Sequence, residues 1–170
     1  MNYTNRLREY FPPLCTRERA LSIDSYLCWH RYGDLELNAS YQRNYVWTQN
    51  EQDDFLVTLV RHFPVGIIAI SDDHQFKETK WGEVIDGKQR LTTIIKFVDG
   101  EIGLPLPGGS RLFWNDMNIA EQRKFRGIPL PALDLQGSTQ KERLEFFYRL
   151  NFAGVPQSEE HKKLIMEMMK

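Results

Sequence analysis

Residues 83–100 read EVIDGKQRLTTIIKFVDG: a short apolar run, then Asp86-Gly87-Lys88-Gln89-Arg90, then a longer apolar segment. In that segment Leu91, Ile94, Ile95 and Val98 recur at the intervals of one helix face, and Asp99-Gly100 supplies the stop. The stretch therefore reads as strand, turn and helix. The junction of a strand end with a helix start is where free backbone N–H groups and the helix dipole attract an anion. Gly87 lets the backbone approach closely or take positive φ. Lys88 supplies a point charge, Arg90 a planar fork suited to phosphate oxygens, and Gln89 both a donor and an acceptor. Asp86 is the one acceptor among these donors, suited to hold a magnesium ion or to orient an attacking hydroxyl or water. The same five residues also fit an ordinary Asp-Gly turn followed by solvated cations at a helix start. The pattern GxxxxGK[ST] is absent, which excludes Walker-type binding.

Working outward, 170 residues fit a single domain that buries about two-thirds of its unfolded surface. With 41% hydrophobic and 26% charged residues the chain has the composition of a folded protein, not of a disordered one. The 22 Lys+Arg against 23 Asp+Glu leave a formal net charge of -1, so any polyanion must be recognised by a local patch. Cys15 and Cys28 form no CxxC, and no signal-peptide pattern opens the chain, which predicts a reducing, cytoplasmic setting. His30, His62, His74 and His161 are scattered, which argues against a structural zinc. The longest apolar run, Val65 to Ile70, is too short to span a bilayer, so no membrane partner is expected.

Residues 1–21 carry no period that survives Pro12-Pro13 and read as an N-terminal arm; residues 22–170 read as one α+β domain, a small sheet surrounded by helices. Ser22 is the predicted N-cap of a helix to Tyr32, stopped by Gly33, and Asp34–Leu37 a short strand. Thr48 with Glu51 opens a helix from Gln49 to His62 whose Phe55, Leu56, Leu59, Val60 and Phe63 should face the core, with Pro64 beyond it. VGIIAIS and WGEVID read as strands separated by the polar loop DDHQFKETK. The glycine- and proline-rich stretch after Gly100 has room for a hairpin. Asn118 with Glu121 starts a helix to Arg126, and Thr139 with Glu142 starts another with a Leu144, Phe147, Leu150 stripe. Ser158 opens a last amphipathic helix.

A second candidate segment is Tyr41-Gln42-Arg43-Asn44-Tyr45-Val46-Trp47, where aromatics alternate with Arg and amides that can stack on and hydrogen-bond bases. Taken by itself the segment reads first as structural, with Tyr45 and Trp47 as core anchors and Arg43 paired to a carboxylate. Arg123-Lys124-Phe125-Arg126 reads as a solvated helix face.

Taken in order, YQRNYVW, FPVGIIAI, EVIDGKQRLTTIIKF and FFYRLNFAGVPQSEEH resemble the GmrSD restriction-endonuclease N-terminal domain family, over about Ile23 to His161. The resemblance implies a ParB/sulfiredoxin-like fold in which the DGxQR segment belongs to a nucleotide-binding, NTP-hydrolysing site. By position, Asp86, Gly87, Gln89 and Arg90 match that motif, Tyr41, Gln42 and Arg43 match the front segment, and Arg149, Asn151 and Gly154 match the third, whose Asn would line the same pocket. Lys88 stands where the family has Gln and adds charge at the phosphate site; Phe152-Ala153 replaces Thr-Gly. An HNH nuclease run, with which the family's domain is commonly coupled, does not occur in this sequence, so the expectation is a standalone copy of phage or mobile-element type.

The resulting expectation is an NTPase or phosphotransferase using Mg2+ and a nucleoside triphosphate. Asp86, Gln89 and Arg90 would be catalytic, with Asp86 at the metal. Gly87, Lys88, Arg90, Tyr41, Gln42, Arg43 and Asn151 would bind the nucleotide. DNA and a partner protein are further partners, and the setting is the cytoplasm of a bacterial host if the gene is phage-borne. The alternatives are a non-enzymatic DNA- or protein-binding module and, last, a nuclease acting alone.

Overall fold

The computed structural model of the chain describes residues 3–39, 42–72 and 82–152. In chain order its elements are α1 (Tyr3–Tyr10), β1 (Thr16–Arg19), α2 (Ile23–Tyr32), β2 (Leu35–Glu36), α3 (Gln49–Val60), β3 (Ile68–Asp72) and β4 (Gly82–Asp86). There follow α4 (Lys88–Val98), the strands β5 (Leu104–Pro105) and β6 (Arg111–Leu112), α5 (Ile119–Arg126), β7 (Ala132–Gln136) and α6 (Gln140–Phe152). The fold is α+β, as the element pattern predicts.

Five strands form one mixed sheet in the order β1-β7-β3-β4-β2, and β5 pairs with β6 as a separate hairpin. β7 and β3 run parallel, β3 and β4 antiparallel, β4 and β2 parallel, and β1 lies antiparallel on the outer side of β7. Alternation along the strands divides the apolar residues between two faces. Ile68, Ile70, Val84 and Ala132 join the main core with side chains of α2, α3, α4 and α5, while Ala69, Ile85 and Leu135 face a smaller cluster with Leu133, Phe146 and Phe147. The sheet is therefore covered on both sides, with α6 on the second.

The main core fixes α4 from end to end. At its C-terminal end the fully buried Phe97 sits among Trp114 and Phe125, with ring centroids 5.8 and 5.0 Å away. Each such edge or tilted pair adds about 0.5–1.5 kcal/mol to the burial itself. Leu91 and Ile94 bury the middle of the helix. Its N-terminus is thereby held at the end of β4.

Several local expectations match. Gly33 closes α2 in the left-handed conformation at φ 75. Asn118 Oδ1 accepts the Ala120 and Glu121 N–H groups, and Glu121 accepts the Asn118 N–H, completing the reciprocal cap of α5. Thr139 and Glu142 do the same for α6.

Four differences have identifiable causes. The segment read as an arm without helical or strand period supplies α1 and an edge strand: β1 pairs Thr16 to Arg19 with Leu135 to Ala132. β7 has no counterpart among the strands expected from sequence, because its ALDLQ breaks the apolar alternation with Asp134. That carboxylate is only 1% exposed and accepts from Arg17 and Arg19 of β1, more than a hundred residues away in sequence. Phe63 is 53% exposed and off the core face, since α3 stops at Val60 and His62 turns the chain at φ 59. On α6, Leu144 and Leu150 face outward, while Phe147 packs toward the sheet with Phe146. The loop at 73–80, Tyr41, Gly154 and the helix expected from Ser158 lie outside the described residues.

Candidate functional site

β4 ends at Asp86, and the chain turns into α4 through Gly87, whose φ of 102 and ψ of 7 are left-handed. A side chain there would be strained by the dihedral, and its Cβ would stand 2.4 Å from Ile68 Cδ1. The first helical hydrogen bond runs from Leu91 N–H to the Gly87 carbonyl at 2.9 Å, and no side chain caps the helix. The donors at the start of α4 are therefore left without the internal acceptor that α5 provides for its own.

The residues of the DGKQR turn then divide by what they touch. Arg90 donates through Nη2 to Asp86 Oδ2 at 2.6 Å and through Nη1 to the Val65 carbonyl at 2.8 Å. It thereby ties the β4 end to the loop before β3. Gly66 makes this approach feasible, because a Cβ there would lie 2.8 Å from Arg90 Nη1. Gln89 accepts the Val46 N–H at 3.0 Å and donates to the Asn44 carbonyl at 3.1 Å, so both ends of its amide brace the front segment. Lys88 differs from both. It is 8% exposed, lines the cleft at the helix start, and has no hydrogen-bond or ion-pair partner among the described residues.

The front segment is drawn against the same turn. Gln42 Nε2 donates to the Val84 and Ile85 carbonyls at 2.7 and 2.8 Å, anchoring the segment beside the C-terminal half of β4. Its Oε1 is buried without a partner among the described residues. Tyr45 and Thr93 share a hydroxyl hydrogen bond of 2.9 Å on the flank of α4. Trp47 rests on Phe55 at 5.2 Å between centroids, and its carbonyl accepts from Gln52. Tyr45 and Trp47 are therefore anchored in the fold, while Arg43 is exposed and, unlike the carboxylate pairing expected with those anchors, makes no ion pair among the described residues.

Gln42, Arg43, Trp47, Asp86, Gly87, Lys88, Gln89, Arg90, Phe147 and Asn151 line one cleft of about 530 Å³. Every described residue expected at the site is among them, and Tyr41 is not described. Trp47 and Phe147 enter from structure; Phe147 reads in sequence only as part of an apolar helix stripe. Arg43, Lys88 and Arg90 against Asp86 give the lining an excess of two positive charges, although the whole chain carries -1. A concave surface of that sign concentrates anions.

The donor set of the cleft offers a magnesium ion few protein ligands. Among the described residues no group of three His, Cys, Asp or Glu side chains surrounds a point, which disfavours a cage made of protein. Magnesium bound to nucleotides commonly needs only one or two carboxylates, with phosphate oxygens and water supplying the rest. Asp86, with one carboxylate oxygen not held by Arg90, fits that smaller requirement. Among the described residues no helix is long and apolar enough to cross a membrane.

Residues 30–133 match the family model described as GmrSD restriction endonuclease, N-terminal domain. The matched region runs from the end of α2 to the start of β7 and includes the front segment and the whole DGKQR turn. A search of curated proteins gave no match.

Proposed function

The chain belongs to the GmrSD restriction endonuclease N-terminal domain family, and from that premise we propose that its cleft binds the phosphates of a nucleoside triphosphate and hydrolyses it or transfers its terminal phosphoryl group in a DNA-related restriction process. The observation that carries this reading is Lys88: a largely buried lysine with no ion-pair partner among the described residues, at an uncapped helix start, in a cleft with excess positive charge. A phosphate group would supply Lys88 with the counter-ion that it lacks among the described residues. Asp86 and the phosphates would hold a magnesium ion, which supplies charge neutralisation at the reacting group.

In hydrolysis, water oxygen bonds to the terminal phosphorus, the bond to the bridging oxygen breaks, and the nucleoside diphosphate leaves with that electron pair. The water's protons end on the product phosphate and solvent. Asp86 would orient the water, or an acceptor hydroxyl in transfer, and Lys88 would stabilise charge on the phosphate oxygens. Gln89 and Arg90 act through the frame: one holds Asn44 to Val46, the other holds Asp86.

That same use of Gln89 and Arg90 favours a second reading, a binding module that senses nucleotide without reacting it. One experiment separates the two. Thermal shift and phosphate release are followed with ATP, GTP, CTP and UTP, with magnesium, with and without DNA, in wild type, Asp86→Ala and Lys88→Gln. Stabilisation by a nucleotide together with phosphate release lost in Asp86→Ala supports the enzyme. Stabilisation with no release under any condition supports the binding module, and no stabilisation by any nucleotide rejects both.

A further inference from the structure

The cleft is larger and more varied than phosphate binding requires. Its cationic lining comes from α4 and the front segment, but Trp47 and Phe147 add two aromatic side chains from separate elements to the lining. Both are partly buried, neither being sealed into the core nor fully open. Trp47 is held in place by Phe55, by Gln52 at its carbonyl and by Gln89 on the neighbouring Val46. Phe147 packs against the Ala69, Ile85 and Leu135 cluster while also lining the cleft, so the sheet supports it from behind. One turn further along α6, Asn151 lines the cleft too; its Nδ2 donates to the Phe147 carbonyl at 2.8 Å, which leaves Oδ1 as the acceptor of that amide.

Held aromatic side chains and cations lining one cleft match the two parts of a nucleotide. A base has a π-face whatever its identity, and stacking on an aromatic side chain is worth a substantial share of binding. We infer that the cleft takes a whole nucleotide, phosphates at Lys88 and base against Trp47 and Phe147, and that Phe147 of α6 contacts the base. This rests on the nucleotide reading above and adds to it the location of the base and the residue that recognises it. It also gives α6 a function: the helix packs on β4, whose last residue is Asp86, and so brings a base platform to the phosphate end.

The test compares nucleoside triphosphates with inorganic tripolyphosphate, which has the phosphates and no base. Affinities for ATP, GTP, CTP, UTP and tripolyphosphate are measured calorimetrically with magnesium in wild type, Phe147→Leu and Phe147→Tyr; Leu preserves apolar packing without a π-face. Phe147→Leu should weaken the preferred nucleotide about tenfold, leave tripolyphosphate unchanged and melt like wild type, and Phe147→Tyr should bind like wild type. Equal wild-type affinity for tripolyphosphate and every nucleotide overturns the inference while leaving the phosphate site standing. So does an equal loss for both ligand types in Phe147→Leu, or a nucleotide affinity that Phe147→Leu does not change. If neither ligand type binds wild type, the nucleotide reading itself fails, and the inference with it.

Discussion

Helices α5 and α4 begin in opposite ways. α5 starts with Asn118 accepting two of its first N–H groups, while Glu121 places a negative charge at the positive end of the helix dipole. α4 starts with a left-handed glycine, no side-chain cap, no acid in its first turn, and a buried lysine as its first residue. A cation at that end opposes the dipole by about 0.3–1 kcal/mol before its burial is considered. α5 is complete by itself, whereas α4 has a positive charge that no carboxylate among the described residues offsets by contact. The contrast separates a helix start that serves the fold from one whose electrostatics suit an anion from outside the chain.

The most disruptive way to break this contrast is at the turn. Gly87→Ala adds a Cβ at φ 102, close to Ile68, and should cost about 2–5 kcal/mol, the sum of a left-handed penalty and a core clash. Urea unfolding checks this; a midpoint equal to wild type would show that the turn relaxes freely.

A second substitution makes α4 resemble α5. Lys88→Glu places an acid at the helix start and should lower nucleotide and tripolyphosphate affinity by at least about tenfold, or about 1.4 kcal/mol, while raising the unliganded melting temperature slightly. Stability and binding moving together would contradict the contrast between the two helix starts.

The third test uses an anchored acid elsewhere. Asp53 on α3 accepts from Arg111 of the hairpin, Nη1 to Oδ1 at 2.8 Å, with a second bond from Nη2. The hydrogen bonds from Arg111 hold its carboxyl below the ordinary aspartate range, against a smaller opposing effect of desolvation. An unfolded aspartate titrates near 4. The folded state is therefore favoured by this group above about pH 4, and the advantage disappears as pH falls through the lowered folded value. Asp53→Asn should cost about 1 kcal/mol at pH 7, discounted for partial exposure, and flatten the loss of stability on acidification; parallel pH profiles for the two proteins would count against it. The smallest change is Asn118→Ala, expected to cost slightly under about 1 kcal/mol in thermal unfolding without altering ligand binding.

Sequence reading reached those features that depend on neighbours in the chain. The α4 periodicity, the reciprocal caps and the left-handed Gly33 each involve residues within a few positions of one another. The residues of the cleft were legible as a set because the order of short motifs, with the family resemblance, pointed to them. What each one does was not. Gln89 looks like a ligand-positioning amide until Asn44 and Val46 are seen to occupy both its ends. Arg90 looks like a phosphate fork until Val65 and Asp86 are seen to engage it. Phe147 looked like core because helical spacing identifies a face but not what lies beyond it. β1 and β7 were hidden for a related reason: a polar TRER and an interrupted ALDLQ become strands only through pairing across more than a hundred residues.

β1 also decides how this chain can be shortened. Residues 16–19 cover one edge of β7, and Arg17 and Arg19 are the cations that contact the buried Asp134 carboxylate. A fragment trimmed to begin after Leu21, as though a loose tail had been removed, would uncover a new sheet edge and strip a buried acid of both counter-ions. Exposed edges recruit other strands, so such a fragment should precipitate or self-associate where the longer chain stays dispersed, with every residue of the cleft still present in its sequence.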